Sequence, residues 1–224
     1  MSRSWQLGTG LVLTALAGYV DALGFVRIGG LYTSFMSGNT TQLSVFLGHA
    51  DFAHVVLPAV LIGGFLAGAV LGSGLSILVP FPWATPAVLG YEALLILAAL
   101  GVGLAIPELG IASFFMAVAM GSQNAVLAQV KGFRAGTTFV TGALFSLGQK
   151  IAQALTRTGP PFGWVGDGAV WAALLVGALA GAVAYARLDL YALVIPAAIS
   201  GVLALVAAIF ALRHRAMMPE PPAA

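Results

Sequence analysis

Asp21 is the first residue whose chemistry demands an account. It lies late in the apolar stretch Leu7–Ile28, with apolar neighbours on both sides. A charge at membrane depth costs about 2.5–3.5 kcal/mol on insertion scales, so such a residue faces a cavity or a partner. A carboxyl there can bind a cation or carry a proton. The structural alternatives are a pair with Arg27 or a cap on a helix break. Glu92 raises the same question inside Ala84–Ile106, and pairing with a basic residue or carrying a proton would each account for it.

The run Ser37-Gly38-Asn39-Thr40-Thr41-Gln42 is the densest polar stretch at membrane depth. A Gly-Asn step can unwind a helix, and every freed backbone amide must then find a partner. Asn39, Thr40 and Gln42 could serve that backbone, hold a solute, or bond helix to helix. Gln123 and Asn124 place two amides in a second apolar stretch. His49 and His54 flank Asp51 in a short loop, where spacing alone is weak support for a metal site. There is no Walker loop, GxSxG elbow, HExxH or dinucleotide fingerprint. The chain contains no Cys, which removes thiol chemistry and disulfides.

Composition indicates the scaffold that carries these groups. Of 224 residues, 60% are hydrophobic and 7% charged. Mean hydropathy is +1.03. Soluble domains carry about 25% charged residues, so this surface must face lipid. The net charge of +2 gives no nucleic-acid-binding surface. Six stretches reach the roughly 20 residues a bilayer requires. They are Leu7–Ile28, His54–Val79, Ala84–Ile106, Ile111–Val130, Gly168–Ala186 and Tyr191–Leu212. Leu31–Gly48 and Gly136–Leu155 are polar for lipid-facing helices. They are either full spans buried in a bundle or shorter, broken or re-entrant pieces. The expected fold class is an all-α polytopic membrane protein.

The chain also reads as two internal repeats. Ala17-Gly18-Tyr19-Val20-Asp21-Ala22 matches Met120-Gly121-Ser122-Gln123-Asn124-Ala125, and Thr33 to Gly38 matches Thr137 to Gly142. Gly64, Gly68 and Gly72 have counterparts in Gly177 and Gly181. The expected halves are 1–106 and 107–212, followed by a basic, Pro-rich, disordered tail at 213–224. Six spans with a cytoplasmic N-terminus put Arg3, Lys131, Arg134, Lys150, Arg157, Arg213 and Arg215 inside, and only Arg27 and Arg187 outside. That asymmetry obeys the positive-inside rule better than eight spans do. It favours two inverted three-span halves.

Gly18-Tyr19-Val20-Asp21-Ala22-Leu23-Gly24-Phe25, then Gly29-Gly30-Leu31, then Phe35-Met36-Ser37-Gly38-Asn39-Thr40-Thr41, resembles the YoaK-like family of bacterial integral membrane proteins. The resemblance covers nearly the whole chain. It implies a bacterial cell-membrane protein of about six helices. The family is of unknown function, so no substrate is implied. Val140-Thr141-Gly142-Ala143 lacks the Asn found at Asn39, which weakens the second half of any symmetric site.

The expected function is a small-solute permease of the bacterial inner membrane, with both termini cytoplasmic. Its site would lie between the halves, lined by Asp21, Asn39, Thr40, Gln42, Gln123 and Asn124. Asp21 or Glu92 would carry a proton in secondary transport by rocking of one half against the other. No enzyme activity, cofactor or metal is expected. The partners are membrane lipid and an unidentified small molecule or ion, with a homodimer suggested by the small-residue faces and no nucleic acid. The alternatives are a membrane assembly protein, whose polar residues only glue helices, and a membrane-embedded lipid enzyme.

Overall fold

A computed structural model describes residues 3–106, 108–127 and 140–216. The described residues contain helices and no strand. The order is α1 (Arg3–Ile28), α2 (Met36–Gly48), α3 (Phe52–Leu78), α4 (Ala84–Ala105), α5 (Leu109–Leu127), α6 (Val140–Leu155), α7 (Val165–Leu188), a 3-10 turn (Asp189–Leu193) and α8 (Val194–Ala216). Among the described residues, five continuous stretches are long and apolar enough to cross a bilayer, and the last, Val165–Arg213, spans α7 and nearly all of α8. The sequence places a span from Tyr191, but Tyr191 lies in the 3-10 turn and the helix proper begins at Val194. The tail expected to be disordered from 213 begins as helix, since α8 runs to Ala216. Residues 217–224 and the segment 128–139, with Lys131, Arg134, Thr137 and Thr138, lie outside the described residues.

Glycine decides which helices touch. Gly177 and Gly181 of α7 lie against Ala15 and Tyr19 of α1, while Gly18 of α1 lies against Leu174 and Ala178. A Cβ on any of these three glycines would meet opposing backbone. Small residues let two helix backbones approach to this distance, where dispersion contacts are greatest. Gly64, Gly68 and Gly72 of α3 lie in the same way against Phe114, Val118 and Ser122 of α5, and Gly121 of α5 against Phe65 and Ala69. Residue numbers rise together in both pairs, so α1 runs parallel to α7 and α3 parallel to α5. The glycine stripes that suggest a dimer face in the sequence are therefore filled from within the chain.

Helix α4 closes the bundle. It runs antiparallel to α8, with Gly103 near Leu190 and Glu92 near Ser200. Gly103 also approaches Ala112 of α5 and Arg27 at the end of α1. The C-terminal ends of α1 and α4 thus meet the N-terminal ends of α5 and α8, and α1 is antiparallel to α5. The core joins Leu16, Val20 and Leu23 of α1 to Ile96 of α4, Met116 and Met120 of α5, and Leu193. Large apolar side chains face outward instead, among them Leu66, Val70, Ile77, Leu94, Leu179 and Leu205. Such an outer surface suits hydrocarbon and not water.

Helix α2 does not match the long ones. Its 13 residues extend about 20 Å at 1.5 Å per residue, short of the roughly 30 Å hydrocarbon layer. Gly29 at φ 74° ends α1 in the left-handed conformation, and the Gly30 amide donates to the Phe25 carbonyl at 2.9 Å. This closure turns the chain back along α1. Residues 31–35 return as far as Asp21, and α2 leads away again to a tight turn at His49–Asp51 before α3.

Candidate functional site

The returning segment 31–35 has no helix or sheet to satisfy its backbone, so side chains do so. Asp21 Oδ1 accepts the Thr33 amide at 2.8 Å, the Thr33 hydroxyl at 2.8 Å and the Ser34 amide at 2.6 Å. Its Oδ2 accepts the Ser34 hydroxyl at 2.5 Å. Asp21 therefore anchors the entry to α2 from a neighbouring helix, close to the capping alternative that the sequence offers. It does not pair with Arg27, which approaches Asp189 at 4.0 Å instead. Among the described residues no cation pairs with Asp21.

Asn39 completes the anchor. Its Oδ1 accepts the Tyr32 amide at 2.9 Å and its Nδ2 donates to the Tyr32 carbonyl at 2.7 Å. Fully buried, it stands in for a missing strand partner. Thr40 is exposed on α2 and its hydroxyl donates to the Met36 carbonyl at 2.8 Å. Gln42 lies further along α2.

Asp21 lines a cavity of about 500 Å³ between α1, the returning segment, the first described turn of α6, and α7. Phe25, Tyr32 and Phe35 contribute its aromatic wall, and Ser34 and Thr141 its hydroxyls. Phe25 and Tyr32 have ring centroids 5.1 Å apart, and Tyr32 and Phe35 5.2 Å. The rest of the wall is aliphatic or glycine. Of the site residues named from sequence, Asp21 alone lines this cavity; Asn39 reaches it indirectly, by fixing Tyr32.

Glu92, Gln123 and Ser200 form a second, fully buried polar group between α4, α5 and α8. Gln123 Nε2 donates to Glu92 Oε1 at 3.1 Å, and Ser200 lies beside the same carboxyl. Oε2 has no hydrogen-bond partner of ordinary geometry among the described residues. Asn124 donates to the Met120 carbonyl at 3.0 Å, and its buried Oδ1 is unpartnered among the described residues. The structure thus joins Glu92 to Gln123 but gathers neither with Asp21 in one cavity.

Sequence reading misses Ser200, the aromatic wall and Asp167. Asp167 pairs with Lys150 at 2.5 Å and accepts from Ser146 at 3.1 Å, which ties α6 to α7. His54 lies in the first turn of α3, not in the loop the sequence suggests, and its Nδ1 is 2.9 and 2.8 Å from the two oxygens of Asp51, the residue before the helix; its ring stacks on Phe46. That bond holds the Asp51 carboxyl below its ordinary value of 3.8. Among the described residues no group of three or more His, Cys, Asp or Glu side chains could hold a metal.

Residues 9–206 match the model of a protein family of unknown function, DUF1275. The chain is 37% identical over 186 residues to UPF0700 transmembrane protein RA0705 of Rhizobium meliloti (strain 1021). That match covers 81% of this chain and 77% of the relative. No solved structure matches the chain.

Proposed function

Because the chain belongs to the DUF1275 family of transmembrane proteins, whose function is unknown, no cargo is inherited, and we propose from its geometry that it is a small-solute permease. The observation that carries this reading is the cavity at Asp21. Asp21, the entry to α2 at Ser34 and Phe35, and the first described turn of α6 at Val140 and Thr141 all line it. Broken helices in corresponding parts of two repeats are the sequence and structural mark of a transporter site.

The repeat reading has its own support. The spacing that separates Gly18 from Gly121 also separates Ala15 and Tyr19, which meet Gly177 and Gly181, from Val118 and Ser122, which meet Gly68 and Gly72. Gly68 and Gly72 stand to Gly177 and Gly181 as Phe65 and Ala69 stand to Leu174 and Ala178. In this reading α1 to α4 (within 1–106) repeat as α5 to α8 (107–212, with α8 running on to Ala216), and the halves exchange partners, α1 with α7 and α5 with α3. The antiparallel course of α1 and α5 favours inverted halves. Six spans, with α2 and α6 as re-entrant pieces, then agree with the positive-inside distribution and cytoplasmic termini. The bacterial inner membrane is the proposed location. Motion of one half against the other exposes the cavity to each side in turn, and Asp21 or Glu92 is the candidate proton carrier. No catalytic role is proposed.

The chain has no native Cys, so a single Thr141→Cys reports on access. A permease lets a membrane-impermeant maleimide reach that position from either face of the membrane in separate experiments. Reaction from one face only, under every ionic condition, would leave an assembly protein as the better reading.

A further inference from the structure

We infer that the cavity at Asp21 binds a small organic cation, a protonated or quaternary amine with an apolar body. This names the cargo class for the permease reading and rests on it only for the transport step; the binding claim stands on the cavity itself.

The volume comes first. About 500 Å³ falls within the range of pockets that enclose small organic ligands. It far exceeds what a single bare metal ion fills. The wall comes next. Phe25, Tyr32 and Phe35 line it as a run of neighbouring rings, and ring faces carry the negative end of the aromatic quadrupole, which attracts a cation within about 6 Å. Aliphatic side chains such as Leu144 and Leu174 also line it and suit an apolar body.

The charge decides the sign. Asp21 contributes a carboxyl, and no Lys, Arg or His lines the cavity among the described residues. Four donors already reach the carboxyl, three of them on Oδ1 and one on Oδ2. Each carboxylate oxygen has two lone pairs, and Oδ2 accepts only the Ser34 hydroxyl, so Oδ2 keeps one acceptor site for a ligand. Val140 and Thr141, the first described residues of α6, also line the cavity. Even a helix N-terminus placed there would present only about half an elementary charge, against the full charge of an ionised Asp21. The amides at the entry to α2 are already turned onto Asp21 itself. The balance, with three rings added, favours a cation.

The test is equilibrium binding to the purified full chain in detergent. The probes are benzyltrimethylammonium, neutral benzyl alcohol and anionic benzenesulfonate. The expected result is saturable binding of the ammonium at least tenfold tighter than that of either other probe. Asp21→Asn should remove that preference. Its amide oxygen can keep the backbone donors, and the Ser34 hydroxyl can turn to accept from the new NH₂, so the fold should persist. Phe25→Leu is the second variant and should weaken ammonium binding about fivefold while leaving benzyl alcohol unchanged. Equal binding of all three probes, or ammonium binding indifferent to both variants in folded protein, overturns the inference. Failure here with two-sided access at Thr141→Cys leaves a permease of another cargo. Success here with one-sided access leaves a cation-binding protein that does not transport.

Discussion

Gly177 of α7 lies so close to Ala15 of α1 that a Cβ on the glycine would overlap the Ala15 carbonyl oxygen. Neither backbone can retreat without parting the helices along their length. Gly68 against Val118 repeats the arrangement between α3 and α5. Gly177→Val and Gly68→Val should each destabilise the bundle by about 1–3 kcal/mol or more, the cost of overpacking a close contact. Gly101→Ala and Gly74→Ala, where a Cβ meets nothing within 4 Å, should be neutral or slightly stabilising. Thermal unfolding in detergent checks both pairs; equal losses at all four sites would remove the case for glycine-set packing.

Asn39 holds both the amide and the carbonyl of Tyr32. Asn39→Leu leaves two backbone groups of the returning segment without partners, and each unsatisfied buried group costs about 1–3 kcal/mol. Thr40→Ala removes one exposed bond back to Met36 and should change stability by less than about 0.5 kcal/mol. Hydrogen exchange at the Tyr32 amide gives a local readout: it should rise sharply in Asn39→Leu and stay at the parental rate in Thr40→Ala.

Part of this packing is legible in the sequence. The glycine spacing of α3 and α7 is legible, and so is its purpose of close packing. Its partner is not, because a stripe of small residues looks the same whether it meets another chain or a helix of its own. Asp21 is legible through the cost of a carboxyl among apolar neighbours. Its four donors are not, because they depend on a reversal at Gly29 and Gly30 that brings Thr33 and Ser34 back along α1. Asn39 shows the deeper ambiguity. An amide at membrane depth serves the backbone or a ligand equally well in sequence, and only the position of Tyr32 decides. Ser200 has no polar neighbour in sequence to mark it, yet α8 sets it beside Glu92.

Lys150 and Asp167 fasten α6 to α7 with Ser146 as third member. A double-mutant cycle of Lys150→Met and Asp167→Asn should give a coupling energy of about 0.5–1 kcal/mol, because Lys150 is partly exposed and screened. The double variant should be more stable than Lys150→Met alone, which leaves Asp167 without its cation. Strictly additive losses would mean the pair contributes nothing to docking α6.

Asp51 and His54 provide a pH-dependent contact at the start of α3. The His54 ring bonds the Asp51 carboxyl and holds it below 3.8 in the folded protein. A carboxyl whose folded value is depressed adds stability above its unfolded value, and that contribution disappears as pH falls through the folded one. The pair is solvent-exposed, so the effect should be small and weaken with added salt. Melting temperature measured from pH 6 down to pH 3 should therefore fall less steeply in Asp51→Asn than in the parent, with the difference confined to the acid end. A difference of the same size at pH 6 and pH 3 would assign the change to something other than this titration.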